Sequence, residues 1–244
     1  VVLPLAWAQE SLRIRVTEFA PNYFQKEGRW GGLDVELAEA LIREAGFQSM
    51  YLDLPWSRAL GYLQSGELDV MMNVSRTPDR EAFMYFIGPE RLSRRVLVVR
   101  REQAGLPLAG MDDLVKAAAQ ARSTIGIQKD ARYSEAFDRR LATDSGFAQY
   151  FDPVVQGTVL PRKTLAGRNL GFIEDEYFVA YQLRNNPDFQ ELAIHPLALF
   201  ADPVYFGVSK AIDPDKLRRL ESAFQRLEKS GVLARIRARW AAQK

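Results

Sequence analysis

Arg80 is the side chain with the clearest chemical use in the sequence. Its guanidinium is a planar fork that can hold a carboxylate through two parallel hydrogen bonds where water is displaced. Its neighbours Asp79 and Glu81 offer the competing reading, a surface ion pair. Glu18, Glu174 and Asp175 could in principle supply an acid–base pair, although Asp175, set between Glu174 and Glu176, equally suits an exposed acidic helix N-terminus. Phe19 and Trp56 bring large contact area at small entropic cost, to a ligand or to a core. The chain has no cysteine and one histidine, His195, which removes disulfides, thiolate nucleophiles, Fe–S clusters and Cys- or His-rich metal sites. His195 stands beside Pro196 after the apolar Leu192-Ala193-Ile194, with no activated nucleophile near it, and reads as a structural histidine. The G-x-G-x-x-G, P-loop, G-x-S-x-G and H-E-x-x-H fingerprints do not occur, so neither a cofactor nor a metal is expected. Asn73-Val74-Ser75 matches a glycosylation acceptor, but it closes an apolar strand and is discounted.

The elements that must position these groups follow from pattern. Leu12-Arg13-Ile14-Arg15-Val16-Thr17 alternates apolar and polar residues, a strand with one buried face, and Phe19-Ala20-Pro21-Asn22 is a loop. Asp34 is expected to cap a helix whose stripe is Leu37, Ala38, Leu41, Ile42 and Ala45, with Gly46 at the left-handed C′ position. Pro55 opens a second helix carrying Ala59, Leu60 and Leu63 and stopped by Gly66, and Leu68–Val74 reads as a buried strand. Further strands are expected at Arg95–Val99, Thr124–Gln128 and Leu170–Ile173, with helices at Met111–Ala121 and Tyr177–Leu183. Two closing helices carry Leu217, Leu220, Phe224 and Leu227, then Val232, Ile236 and Trp240, divided by Gly231. Strands alternating with helices make an α/β protein.

With 244 residues, 47% of them hydrophobic, the chain can bury one large domain or two modest ones. Its 33 Lys+Arg nearly cancel 31 Asp+Glu, and without runs of like charge a nucleic-acid partner is not expected. Residues 1–8 are apolar and end in Ala6-Trp7-Ala8, the form of a signal-peptide remnant. No later apolar run approaches the roughly 18–20 residues that span a bilayer, and no cysteine is present for a lipid anchor. The expectation is a free, exported monomer.

Several motifs recur in one order. Phe19-Ala20-Pro21 is an aromatic-x-Pro loop after the first strand, and Gly32-Leu33-Asp34-Val35-Glu36-Leu37 is a Gly-led acidic helix start. Trp56 is an aromatic before a Leu-rich helix, and Leu63-Gln64-Ser65-Gly66-Glu67-Leu68-Asp69 has the form L-x-x-G-x-h-D. Ser75-Arg76-Thr77-Pro78-Asp79-Arg80 has the form S-x-T-x-x-R, and Ser230-Gly231-Val232-Leu233 with Trp240 closes the chain. Together they resemble the bacterial extracellular solute-binding proteins of polar amino-acid ABC uptake systems, over nearly the whole mature chain.

The resemblance implies a two-lobed periplasmic-binding-protein fold of type II, two Rossmann-like lobes joined by a two-strand hinge that closes around a ligand. Lobe 1 would comprise residues 9–92 and 204–244 and lobe 2 residues 96–195, with hinge strands at 92–95 and 196–203. It places Phe19, Trp56, Asn73, Val74, Ser75, Arg80, Ala131, Arg132 and Asp175 around the ligand. In that arrangement Arg80 holds an α-carboxylate, Phe19 and Trp56 sandwich the carbon skeleton, and Asp175 meets an α-ammonium. Two departures stand out. Asp130-Ala131-Arg132-Tyr133 replaces a Gly-Ser/Thr-Thr run at a second-lobe helix start, losing hydroxyls and adding a guanidinium, and Gly167-Arg168-Asn169-Leu170 loses an acidic residue. The implied function is capture of an amino acid or small carboxylate for delivery to an ABC transporter permease, without catalysis. The alternatives are a cleft enzyme resembling cyclohexadienyl dehydratase, or a sensor module.

Overall fold

A computed structural model describes residues 10–242, so the expected signal-peptide residues 1–8 lie outside the described residues. The alternation in the first strand turns Leu12, Ile14 and Val16 into the core and leaves Arg13 and Arg15 on the other face. In chain order the elements are β1 (Ser11–Val16), the hairpin β2 (Phe24–Lys26) and β3 (Arg29–Gly31), α1 (Leu33–Glu44), β4 (Gln48–Asp53), α2 (Trp56–Ser65), β5 (Val70–Ser75) and α3 (Pro78–Glu81). The long β6 (Met84–Arg100) then leads into α4 (Met111–Gln120), β7 (Thr124–Gln128), α5 (Glu135–Thr143), α6 (Ser145–Ala148), β8 (Phe151–Val154), α7 (Leu160–Leu165), β9 (Asn169–Asp175) and α8 (Glu176–Asn185). The equally long β10 (Leu192–Ser209) returns to α9 (Pro214–Lys229) and α10 (Val232–Ala241).

The strand order is β4-β1-β5-β10-β6-β9-β7-β8. β1 pairs parallel with β4 and β5 in one lobe, and β7 pairs parallel with β8 and β9 in the other. β6 and β10 run antiparallel to each other through both. The segments expected as hinge strands, 92–95 and 196–203, lie inside these two strands, where β10 shifts register against β6 between Ile194 and Ala198 and between Ala198 and Phe200. Arg95–Val99, expected as a separate strand, is the second half of β6. Apolar clusters flank each lobe: α1, α9 and α10 cover one face of the first, while Leu114, Phe137, Phe147 and Phe151 pack on the second. His195 is buried and structural. Its Nδ1 accepts from the Leu197 amide at 3.0 Å, which leaves Nε2–H to donate to the Leu106 carbonyl at 2.8 Å.

Asp34 does not cap α1. Gly32 takes the cap position with φ 116°, where a Cβ would fall 2.5 Å from the carbonyl oxygens of Pro21 and Asn22. Only glycine permits this approach, and it lets the Leu33 and Asp34 amides donate to those carbonyls at 2.9 and 3.0 Å, which ties the Phe19 loop to the helix. The Asp34 carboxylate instead lies fully buried against Arg91, accepting from Nε at 2.7 Å and from Nη2 at 3.2 Å. Arg91 also donates from Nη1 to Asp175 of the other lobe at 3.3 Å. Burial pushes Asp34 above the usual carboxylate range, against the pull of Arg91. Asp175, equally buried, is held below that range because Arg91, Arg95 and the Ser93 hydroxyl outweigh its desolvation.

Arg91→Leu would strand two buried carboxylates and is expected to lower unfolding stability by about 3–5 kcal/mol. Adding Asp34→Asn should recover part of the loss. Denaturant titration checks both, and a change within about 1 kcal/mol in the single variant would contradict the assignment.

Candidate ligand-binding site

Between the lobes lies a cavity of about 320 Å³, lined from the first lobe by Arg15, Phe19, Trp56, Asn73, Ser75 and Arg80, from the second by Gln128, Ala131, Arg132, Gly157, Glu174 and Phe178, and from the shared strand β6 by Arg95, among others. That volume suits a small molecule. Several contributors arrive at the ends of elements. Arg15 and Thr17 come from the C-terminal end of β1, Trp56 from the first turn of α2 after Pro55, and Ser75 from the end of β5. Asn73 and Ser75 share the cavity face of β5. Val74, between them, points the other way into the Ala59, Leu63, Leu68 and Met84 cluster, so its side chain is core and not lining. Asn73 sits at φ 59°, a conformation asparagine tolerates better than most residues. Its amide donates to Glu90 Oε2 at 2.8 Å, and its Oδ1 has no hydrogen-bond partner among the described residues.

Arg80 is 3% exposed. Its Nη1 donates to the Ser75 carbonyl and its Nη2 to the Asp130 carbonyl, each at 3.1 Å. Among the described residues it makes no ion pair with Asp79 or Glu81. Arg132 takes Asp79 at 2.9 Å and Arg76 takes Glu81 at 2.6 Å. Burial, and then the neighbouring Arg132, pull the Arg80 guanidinium down to about 10, which still leaves it charged at neutral pH. Trp56 lies near two guanidiniums, with Arg15 Cζ at 5.4 Å and Arg80 Cζ at 5.6 Å from its ring centroid, and its indole N–H donates to Asp130 O at 3.2 Å. Phe19 stacks on Phe178 of α8 at 4.4 Å with an interplanar angle of 4°, so one of its faces is already occupied. With Ser57 bonded to the Asp130 carboxylate at 2.6 Å and Arg132 to Asp79, these contacts join the two lobes around the cavity.

Asp175 does not line the cavity. Its Oδ1 accepts from the Tyr177 and Phe178 amides as the cap of α8, and its Oδ2 from Ser93 and Arg91. β9 runs two residues beyond the expected Ile173, and its alternation turns Glu174 to the cavity instead. Glu174 Oε1 accepts from the Asp175 amide at 2.7 Å and from Arg95 Nη1 at 3.3 Å. Burial raises the Glu174 carboxyl to about 7, against the pull of Arg95. The expected helix start at Asp130–Tyr133 is a loop. α5 begins at Glu135, capped by Ser134, whose hydroxyl accepts from the Phe137 amide; Ala131 and Arg132 line the cavity from that loop. Sequence reasoning missed Arg15, Arg95 and Gln128 as lining residues. The polar face of β1 was the available signal for Arg15.

Two lobes threaded by a pair of shared strands, with a cavity of charged and aromatic lining between them, have room for a small molecule. The chain belongs to the bacterial extracellular solute-binding proteins, family 3, whose model matches residues 12–243. It is 23% identical over 228 residues to a probable histidine-binding protein of Neisseria gonorrhoeae, covering 93% of this chain and 81% of that one. Among solved structures it is similar to the arginine-, lysine-, histidine-binding protein ArtJ of Geobacillus stearothermophilus, at TM-score 0.76, 21% identity and 95% coverage of both chains. It is also similar to the ancestral amino acid-binding protein AncCDT-1, a precursor of cyclohexadienyl dehydratase, at TM-score 0.75 and 19% identity, covering 94% of this chain and 95% of that one. The structural likenesses establish the shared fold. Among the described residues no helix is long and apolar enough to cross a membrane.

For a carboxyl raised from 4.5 to about 7 by folding, the native state holds the proton more tightly than the unfolded chain. Its contribution is therefore complete below pH 4.5 and is lost as pH rises to about 7. Glu174→Gln should flatten this decline, a difference on the order of 3 kcal/mol between the ends of the window. Melting of the ligand-free protein against pH reads it, and parallel curves for the two proteins would contradict the assignment.

Proposed function

We propose that the protein is the periplasmic substrate-binding component of an ABC transporter. It takes an amino acid or similar small carboxylate into the interlobe cavity, closes over it and delivers it to an inner-membrane permease as a monomer. The observation that carries this reading is Arg80: a guanidinium almost wholly buried at a cavity wall, held by two carbonyls and bonded to no carboxylate among the described residues. Five N–H donors are available on the group, and the carbonyls use two. A ligand carboxylate can take two of the remaining three, with Ser75 and the Asn73 side chain beside it. Trp56 supplies the apolar wall. Glu174, not Asp175, is the acid placed to meet an ammonium, and an ammonium at that point favours its ionised form. Binding of an amino acid near pH 7 therefore releases a proton from the protein.

A second reading is favoured by the same group. A cavity carboxyl titrating near 7 is tuned for general acid–base work, and the precursor named above stands at the root of an enzyme. Transport and catalysis separate on turnover: a binding protein returns its ligand unchanged.

Arg80→Ala is expected to weaken ligand binding by roughly 2–5 kcal/mol, with Arg80→Lys restoring only part because it offers no planar fork. Calorimetric titration against amino acids measures the loss, and mass spectrometry of the recovered ligand tests for turnover. Unchanged affinity in the alanine variant contradicts the role of Arg80, and a consumed ligand contradicts the binding-only role.

A further inference from the structure

We infer that the ligand carries two anionic groups, one for Arg80 and a second for Arg15. The inference rests on the reading that this cavity binds a small carboxylate, and it names the class. Arg15 is 4% exposed. Its Nε donates to the Leu54 carbonyl at 3.0 Å and its Nη1 to the Tyr23 hydroxyl at 2.9 Å, while its Cζ stands 5.1 Å from the Tyr23 ring and 5.4 Å from Trp56. Neutral acceptors and ring faces position it, and among the described residues no carboxylate lies within ion-pair distance. Arg80 is in the same condition. Both guanidiniums approach one indole ring, so their central carbons are no farther apart than the sum of the two ring distances.

The other charges on the cavity do not answer them. Glu174 is bonded to Arg95 and Asp79 to Arg132, so neither acid pairs with Arg80 or Arg15. Glu18 is exposed and accepts from the Gln25 amide at 3.3 Å. Asp79, Asp130 and Asp138 lie near enough to Arg80 to favour its charge, but none is bonded to it, and two buried like charges without a bonded carboxylate repel each other more strongly than they would in water. A ligand with a single carboxylate answers one of them. A dicarboxylate, such as an acidic amino acid, answers both and leaves Glu174 for its ammonium. A ligand with a cationic side chain adds a third positive group to the same space.

Acid and amide isosteres isolate the second charge. Ligand-free protein is titrated calorimetrically with L-glutamate and L-glutamine, with L-aspartate and L-asparagine, and with L-arginine. At least one acid is expected to bind roughly 30-fold or more tightly than its amide, and L-arginine more weakly than either acid. In Arg15→Gln that acid-to-amide ratio should fall to within about threefold, while Arg15→Lys, which keeps the charge, should retain a ratio well above it. Thermal melts establish that both variants fold, and the wild-type ratio tests the inference without them. An amide or L-arginine binding as tightly as the acids overturns the second anionic group while leaving a carboxylate-binding cavity in place. Failure of all five to bind overturns the carboxylate-binding reading and the inference together.

Discussion

Arg91 is the joint on which the site is built. It is buried in the middle of β6 and bonded to Asp34 at the start of α1 in one lobe and to Asp175 at the start of α8 in the other. A cation taken out of water is tolerable only beside such partners, and the partners are fixed by it in turn. Asp175 is spent twice, on Arg91 and as the cap that satisfies the first amides of α8. That helix start carries Phe178, and Phe178 carries the ring against which Phe19 stacks. Glu90, next in the strand, is raised well above the usual range by burial beside Asp34 and receives the Asn73 amide. One strand segment thus sets the backbone of β5 in one lobe and the first turn of α8 in the other.

This explains why adjacent acids on one strand have different fates. Asp175 lies where a cation and a helix start both claim it, and it is ionised and closed off. Glu174 faces the opposite way, accepts from Arg95 and the Asp175 amide, and is raised to about 7 by burial. The same division runs through the arginines. Arg91 is bonded to a carboxylate through each of its three nitrogens. Arg80 and Arg15, held by carbonyls and a hydroxyl, keep their charge directed at the cavity. Trp56, close to both, is an electron-rich face that eases two cations into a small volume, though it does not neutralise them.

Much of the fold was legible in residue pattern because it depends on local periodicity: the inward face of β1, the stripe of α1, the stops at Gly46 and Gly66, and the closing helices. Arg80, Trp56, Ser75 and Asn73 were legible from motif order, since each sits a fixed few residues from an element end. What escaped depends on contacts made across the chain. Asp34 has the spelling of a helix cap, but Gly32 occupies that place because the 21–22 loop packs on it and Arg91 claims the acid. Glu174 falls beyond the apolar letters of its strand, so the extension of β9 alongside β6 is visible only once Arg95 is its neighbour. Arg15 lies on the polar face of β1, which reads as solvent until a second lobe covers it.

The central claim is that Glu174 meets the cavity while Asp175 belongs to the frame. Carbon-13 NMR of the side-chain carboxyl resonances in the ligand-free protein, assigned with Glu174→Gln and followed with pH, tests it most directly. A Glu174 midpoint near 7 is expected, with an Asp175 signal that remains ionised below the ordinary aspartate range. An Asp175 that titrates near neutral pH beside a Glu174 with an ordinary midpoint would contradict it.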